Sequence, residues 1–258
     1  MALSRFEVDG SSCIRCGLCV TDCVCAIIDM GDAPFIHPDD LAKCIRCGHC
    51  QAICPTASIT LDDMGPASLA PAGKPVAPDV IEGIVRNRRS VRQFSPKPVE
   101  EESLTRAVEI AAWAPTARNI RDMGLVIFNG REKVVRLMEA CADVMERHGL
   151  LPDVAAHIRK NVDVLFRGAP CVLAIYASDR PYAVSDCATT LAAIELALPS
   201  FGLASCWGGY FTAVCGKEVP AGLSVPEGRM VLGGLMVGRP LIRYSRIPHR
   251  PALPLSWM

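Results

Sequence analysis

The chain has 258 residues, and half of them are hydrophobic, which is enough for one large domain or for a medium domain with a small one. Lys and Arg together number 27, as do Asp and Glu, so nothing in the charge points to nucleic acid. Apolar runs such as residues 171–177 (CVLAIYA) are far too short to cross a bilayer, and the N-terminal MALSRFEVDG lacks the features of a signal peptide, so we expect a cytoplasmic protein that binds neither nucleic acid nor membrane.

Cysteine usage separates the start of the chain from the rest. Nine of the 14 cysteines lie between Cys13 and Cys54, and the other five are scattered through apolar segments. Because a disulfide framework belongs to exported proteins, we interpret the dense nine as metal ligands and the scattered five mostly as small buried hydrophobes. On this basis residues 1–62 are predicted to form a first, small domain.

The pentapeptide CIRCG occurs at residues 13–17 and again at 44–48, and each copy opens a C-x2-C-x2-C-x3-C motif. Three thiolates at this spacing can hold three corners of one cubane, while the fourth cysteine serves another cluster. Tetrahedral zinc more often uses separated C-x2-C pairs. The first 60 residues resemble the bacterial-type ferredoxin domain, which carries two [4Fe–4S] clusters. The resemblance implies that one cluster is held by Cys13, Cys16, Cys19 and Cys54, and the other by Cys44, Cys47, Cys50 and Cys23.

A ninth cysteine leaves one alternative open. Pro55 follows Cys54, as is usual in that domain, but Val24 follows Cys23, and Cys25 comes directly after it. Cys25 is therefore an alternative ligand to Cys23. We keep Cys23 because its spacing matches that of Cys54, and we expect replacement of Cys25 by alanine to leave the iron content unchanged.

The composition changes after this segment. Residues 63–79 are rich in Pro, Ala and Gly and predict a semi-rigid linker, and residues 80–258 are predicted to form the second domain. In chain order we predict a helix at 99–114, a strand at 124–130, a helix at 131–149 that ends at a glycine, a strand at 171–177, a helix at 186–202 that Pro199 kinks or ends, and a strand at 230–238. Helices and strands mixed in this way favour an α+β fold with three layers, α/β/α.

The stretch RNRRSVRQF (86–94) indicates an anion site, because adjacent arginines and a serine hydroxyl suit a phosphate. A solvated basic turn is the alternative. WAPTARN (113–119), RGAPCVLAIYA (167–177), FGLASCWGGYF (201–211) and VGRPLIRYSRIPHR (237–250) follow it. In this order and at these distances, the motifs resemble those of the nitroreductase family of FMN enzymes.

The resemblance implies a set of flavin-binding residues. Arg88, Arg89, Ser90 and Arg92 would contact the FMN phosphate, ribityl chain and ring edge. Thr116 and Asn119 would lie at the isoalloxazine, Gly208 and Gly209 would approach the ring with their backbone, and Arg243 and Arg246 would close on the phosphate. The sequence N-I-R-D-M after Asn119 departs from the family's N-x-Q-P-W, so the substrate cannot be carried over. The resemblance also implies a homodimer.

Together, these features predict an iron–sulfur flavoprotein oxidoreductase that passes electrons from two [4Fe–4S] clusters to FMN and reduces a small organic, conjugated or nitroaromatic-like substrate. The electron donor would be reduced ferredoxin or NAD(P)H, although no G-x-G-x-x-G motif follows a predicted strand. An electron relay to a protein partner and a flavin reductase or flavin-destroying enzyme on the same fold are the alternatives.

Overall fold

The computed structural model describes residues 3–258 and divides the chain into two compact units. The first unit runs through Pro75 and also takes in the segment Ala117–Arg121. The second unit consists of Val76–Thr116 and Asp122–Met258. The domain boundaries at residues 62 and 80 stay predictions. The sequence did not predict that Ala117–Arg121 would belong to the first unit.

The first unit is built from very short elements. In chain order these are β1 (Phe6–Val8), α1 (Leu18–Thr21), β2 (Ile28–Met30), β3 (Pro34–Ile36), α2 (His49–Ile53) and β4 (Ile59–Leu61). Strand β1 pairs antiparallel with β4, and β2 pairs antiparallel with β3. The buried core consists of little more than Leu3, Cys19, Ile27, Ile28, Ile59 and Leu61. A core this small gives limited stability by itself, so bound metal would add substantially to the folding free energy.

Each copy of CIRCG ends in a glycine that begins a helix. Gly17 has φ +74° and precedes α1, and Gly48 has φ +73° and precedes α2. This left-handed conformation strains most residues with a side chain. A Cβ at Gly17 would meet no atom within 4 Å, so backbone conformation rather than crowding by the protein favours glycine there.

The second unit contains the longer elements. In chain order these are α3 (Pro78–Asn87), α4 (Glu101–Ile110), β5 (Gly124–Asn129), α5 (Arg131–His148), α6 (Pro152–Arg159), β6 (Cys171–Ser178), α7 (Ala183–Ala197), β7 (Ala204–Trp207), α8 (Gly209–Cys215) and β8 (Arg229–Gly238). Strands β5–β8 form one antiparallel sheet in the order β5-β6-β8-β7. In residues 3–258, no helix combines the length and the apolar character needed to cross a membrane.

The sheet separates two buried cores. Along β6, Val172 and Ala174 belong to the core formed with α5, α6 and α8, whereas Leu173 and Ile175 belong to the core formed with α4 and α7. This alternation follows from the two-residue period of a strand. Because both faces are covered by helices, β6 is apolar almost throughout. The predicted three-layer α+β fold is confirmed.

Helix α5 shows why the longer elements were predictable. Its buried residues include Val134, Leu137, Cys141 and Val144, which recur at helical spacing on one face. The helix ends where Gly149 adopts φ +61°, as the predicted glycine stop requires. Helix α7 ends at Ala197, and a 3₁₀ turn containing Pro199 follows. Helices α3, α6 and α8 and strand β7 were not predicted; the last two span only seven and four residues, too few to show a period.

Candidate cofactor sites

The cysteines of the first unit line two separate cavities. Cys13, Cys16 and Cys19 of the first motif line one cavity, and Cys54 of the second motif lines the same space. The other cavity is lined by Cys44, Cys47, Cys50, Cys23 and Cys25. The fold therefore brings the last cysteine of each motif to the cavity of the other motif. Cys25 lies with Cys23, so both candidates for that position face one site.

Individual thiols of the two cavities differ in their pKa, because burial raises the pKa of Cys19 in the first cavity and of Cys44 in the second, whereas Cys54 behaves differently. The Ser58 N–H lies 3.4 Å from the Cys54 Sγ, and the Thr56 hydroxyl lies 3.7 Å from it. Burial alone would raise the pKa of Cys54, but these hydrogen bonds outweigh burial and lower it. In the second cavity, burial raises the pKa of Cys50 to about 12. Metal would have to displace that proton, since thiolate is the ligating form.

No compact single-ion site occurs in the part of the chain that the structure describes. Over residues 3–258, no three His, Cys, Asp or Glu side chains lie close enough together to hold one metal ion. All 14 cysteines are free thiols.

In the second unit, the basic motif lies beside strand β7. Ser90 forms a parallel bridge with Ser205, and the Val91 N–H donates to the Ser205 carbonyl at 2.9 Å. The Arg89 guanidinium donates through Nη1 to the carbonyls of Arg86 and Arg88, at 2.7 and 2.6 Å. Its Nε is buried and has no partner among the described residues. A buried donor of this kind is costly unless a ligand or another chain satisfies it.

The other arginines of the motif are partly engaged. Arg92 makes a long 3.4 Å contact from Nη1 to the Ser90 carbonyl. Arg88 forms an ion pair with Glu195 of helix α7, with Nη1 and Oε1 3.2 Å apart. Trp207 also donates from Nε1 to the same carboxylate at 3.0 Å. Glu195 is buried and was not predicted; its signal in the sequence is a single acid in the apolar stretch LAAIELAL.

We expect Glu195→Gln to lower the free energy of unfolding by about 1–3 kcal/mol, because the partly buried Arg88 guanidinium loses its charged partner. The amide still accepts from Trp207, so the effect isolates the ion pair. Urea unfolding measures it. Glu109→Gln is the matched control, since Glu109 and Arg106 are exposed and 3.9 Å apart, and we expect it to cost at most about 0.5 kcal/mol. Equal losses in the two variants would refute a special role for Glu195.

A concave site opens at the start of helix α8. It is lined by Val164, Leu165, Arg167, Trp207, Gly208, Gly209, Tyr210 and Met236. Gly208 and Gly209 both line this site, Gly208 as a buried residue and Gly209 as an exposed one. A Cβ at Gly209 would meet no atom within 4 Å, so the space above it is open. Arg167 was not predicted as a site residue, although it begins the motif RGAPCVLAIYA (167–177).

Thr116 and Asn119, the two residues predicted to lie at the isoalloxazine, belong to different units. Thr116 belongs to the second unit, and its buried Oγ1 has no partner within residues 3–258. Asn119 belongs to the first unit, where its side-chain amide donates to the carbonyls of Ile45 and Arg46 at 3.0 and 2.9 Å. A flavin contact for Asn119 stays a prediction. In this structure the Asn119 side-chain amide is hydrogen-bonded to the backbone of the second CIRCG.

The C-terminal arginines follow a segment that runs beside the basic motif. The Leu241 N–H donates to the Gln93 carbonyl at 3.0 Å, and Phe94 and Pro240 form an antiparallel bridge. Arg243 and Arg246 lie just beyond and are exposed. The fold therefore brings the start of this basic segment to RRSVRQF.

Asp122 links several basic side chains of the second unit. Its carboxylate forms ion pairs with Arg180 and Arg229, each at 3.0 Å, and accepts a hydrogen bond from the Ser178 hydroxyl. Burial alone would raise the pKa of Asp122, but the bonds from Arg180 and Ser178 outweigh it and lower the pKa to about 2.

Comparisons with known proteins agree with this arrangement. The profile of the nitroreductase family matches residues 85–239, and that of the 4Fe–4S binding domain matches residues 37–60. Together, these two matches define the class of protein as an oxidoreductase with an iron–sulfur binding segment. The chain belongs to the nitroreductase family, which confirms the predicted oxidoreductase class.

Solved structures show the same fold. A nitroreductase with bound FMN from Bacteroides fragilis NCTC 9343 is 23% identical, with a TM-score of 0.56 over 70% of this chain and 100% of that one. A nitroreductase with bound FMN from Desulfitobacterium hafniense DCB-2 is 24% identical, with a TM-score of 0.54 over 66% of this chain and 93% of that one. A nitroreductase-like protein from Bacillus cereus is 20% identical, with a TM-score of 0.53 over 71% and 95%.

Proposed function

We propose that the protein is an FMN-dependent iron–sulfur oxidoreductase that passes electrons from two [4Fe–4S] clusters to FMN and reduces a small conjugated or nitroaromatic-like molecule. The observation that carries the proposal is the crossed arrangement of cysteines in a chain of the nitroreductase family. Each of the two cavities is lined by three cysteines of one motif and by the last cysteine of the other motif. Shared ligation of this kind is the arrangement that two-cluster ferredoxin domains require.

The second unit offers groups that suit FMN. Arg88, Arg89, Ser90 and Arg92 would hold the phosphate and ribityl chain, and Arg243 and Arg246 would close on the phosphate. Thr116 and the backbone of Gly208 and Gly209 would bind the ring. The fit is supported by the buried Arg89 Nε and Thr116 Oγ1, because these two unpartnered atoms both belong to the set assigned to the flavin. FMN, when bound, supplies one- and two-electron chemistry, and the side chains orient it.

The open space above Gly209 gives a direct test of the ring position. We expect Gly209→Val to weaken FMN binding at least tenfold, about 1.4 kcal/mol, because a Cβ at this position would meet no protein atom within 4 Å and a branched side chain there would occupy space proposed for the ring. Flavin fluorescence measures the affinity, and thermal unfolding checks the fold. Gly234→Ala is the contrasting variant: its Cβ would lie 2.7 Å from the Phe211 ring, so it should lose stability by about 1–3 kcal/mol. Unchanged FMN binding in Gly209→Val would place the ring elsewhere.

We also propose a homodimer. Helix α3 exposes Val80, Ile81, Ile84 and Val85, which are each between 44% and 53% accessible. The C-terminal segment exposes Leu253, Leu255 and Trp257. Apolar side chains grouped in this way favour association, and a second copy of the chain is the proposed occupant. Free thiols and oxygen-sensitive clusters suit the cytoplasm, where we place the protein.

A relay to a protein partner is the competing function. Cys16 and Cys47, one in each cysteine cavity, are exposed. Exposed ligands would let a protein carrier exchange electrons with the clusters directly. The same surface also suits reduced ferredoxin as the donor of the proposed enzyme, with NAD(P)H as the other candidate donor.

Anaerobic stopped-flow reduction separates these functions. The reconstituted protein, with measured iron and FMN, is mixed with NADH, NADPH or reduced ferredoxin and then with nitroaromatic, quinone and free-flavin acceptors. We expect reduction of both chromophores and turnover with a conjugated or nitroaromatic acceptor. Reduction without any small-molecule turnover would favour the relay, and selective turnover of free flavin would favour a flavin reductase. A protein that binds neither iron nor FMN would refute the proposal.

A further inference from the structure

The short segment Ala117–Arg121 connects the second CIRCG to the flavin unit through the chain itself. The chain leaves the second unit after Thr116 and returns to it at Asp122, whose carboxylate is held by Arg180 and Arg229. Between these points, Asn119 donates from its side-chain nitrogen to the carbonyls of Ile45 and Arg46, at 3.0 and 2.9 Å. Those two residues are the ones enclosed by Cys44 and Cys47.

The Ile45 carbonyl, which accepts from Asn119, belongs to a peptide group whose N–H contacts the Cys44 sulfur. The Ile45 carbonyl and the Arg46 N–H are the two ends of one planar peptide unit. The N–H end donates to the Cys44 Sγ at 3.4 Å. Because the plane is rigid, Asn119 fixes the orientation of the N–H when it binds the carbonyl, and it also polarises the donor. The Asn119 amide thus acts on the Cys44 sulfur through one peptide.

The first CIRCG is a natural comparison inside the same chain. Arg15 and Arg46 hold the same position in the repeat and share the left-handed conformation, with φ +56° and +53°. Their side chains have different partners: the Arg15 guanidinium donates to the Gly31 carbonyl at 2.8 Å, whereas the Arg46 guanidinium pairs with Asp62 at 2.7 Å. The Asn119 side-chain amide donates hydrogen bonds to two backbone carbonyls of the second CIRCG. The second of the two identical pentapeptides is therefore bonded by a segment of the first unit that lies, along the chain, between two parts of the second unit.

The backbone of the segment Ala117–Arg121 is left-handed at two consecutive residues, a conformation that is unfavourable for most side chains. Arg118 and Asn119 are consecutive residues with φ +53° and +54°. Asn tolerates this region better than most residues, whereas Arg does not. Strained backbone of this kind persists where the surrounding contacts hold it and often marks a functional element.

We propose that Asn119 is a positioning residue for the second cluster and raises that cluster's reduction potential by holding the Arg46 N–H on the Cys44 sulfur. The inference rests on the proposed function, since it takes Cys44 as a cluster ligand. Hydrogen bonds to ligand sulfur stabilise the more negative, reduced state of a cluster. Asn119 bonds to the peptides of the second CIRCG, so the first cluster should not respond to changes at Asn119.

The test uses Asn119→Asp and Asn119→Gly in the full-length reconstituted protein. Both residues tolerate a left-handed φ, and neither can donate from that position at neutral pH. Asn161→Gly is the matched control, because Asn161 is exposed in the second unit and has φ +59°. The readouts are iron content, EPR-monitored redox titration of the two one-electron steps, and mass-spectrometric mapping of alkylated cysteines.

We expect one of the two steps to move to lower potential in both Asn119 variants, by about 59 mV for a tenfold change in the electron equilibrium. The other step and the control should be unchanged. Selective loss of one cluster, with Cys44, Cys47 and Cys50 becoming alkylated, would also support the proposal.

Two steps that stay in place, or that shift together, would overturn the assignment to Asn119 while leaving the proposed function intact. Equal loss of both clusters would overturn it as well. Wild-type protein that reconstitutes without [4Fe–4S] signals would instead refute the proposed function, and the inference with it.

Discussion

Replacing Cys54 with alanine should empty the cavity of the first cysteine motif, although Cys54 lies in the second motif. Cys54 lines the same cavity as Cys13, Cys16 and Cys19. Without its fourth ligand, that cluster should be lost, and iron should fall by about half. Cys23→Ala should have the opposite effect and empty the cavity of Cys44, Cys47 and Cys50.

Alkylation followed by mass spectrometry identifies which cluster is lost. In Cys54→Ala, we expect Cys13, Cys16 and Cys19 to be modified while the thiols of the second cavity stay protected. Cys54→Ser provides a second variant that keeps the side-chain size if the alanine variant unfolds the small first unit. Modification of Cys44, Cys47 and Cys50 in either variant would contradict the crossed arrangement.

Cys25→Ala is the control for this series, and its iron content should match that of the wild type. Cys25 lines the second cavity together with Cys23, so proximity alone does not distinguish them. If Cys25→Ala loses about half of the iron and Cys23→Ala loses none, Cys25 is the ligand and the spacing argument is wrong.

Arg89→Ala should weaken FMN binding by about 10- to 100-fold. The guanidinium lies in the segment fixed beside β7, and its Nε is buried without a partner. A charge-assisted hydrogen bond to phosphate contributes about 1.5–3 kcal/mol, which corresponds to this range of affinity. Titration of the apoprotein with FMN, followed by flavin fluorescence, gives the dissociation constant.

Arg86→Ala is the matched control for Arg89. Arg86 lies three residues earlier on helix α3 and pairs with the exposed Glu82 at 2.5 Å. Its loss should change FMN affinity less than threefold, within about 0.6 kcal/mol. An equal effect in both variants would mean that general positive charge, rather than the position of Arg89, determines binding.

The parts of the fold that could be predicted are those with a local signal. Helix α5 has an apolar face at regular spacing and a glycine stop, and strand β6 is a continuous apolar run between two covered faces. Helix α8 and strand β7 lack such a signal because they are short, and they are stabilised by packing against β8. Their existence depends on contacts that a sequence window does not contain.

The candidate sites divide in the same way. Arginines, glycines and cysteines were predicted because their types and spacing indicate phosphate, ring and cluster binding. Glu195 and Arg167 were missed, since an acid in an apolar helix and an arginine before a strand have many structural explanations. Only the packing of α7 beside the basic motif brings Glu195 to Arg88, across 107 residues of sequence.

By itself, the sequence determined the kinds of chemistry that the chain can support. Three of the four cysteines proposed for each cluster lie a few residues apart, and this spacing is a local property that the sequence shows directly. Tertiary structure alone decided what Asn119 touches, because its amide meets Ile45 and Arg46 at separations of 74 and 73 residues. Contacts at such distances along the chain depend on how whole elements pack, and the two identical CIRCG copies differ for that reason.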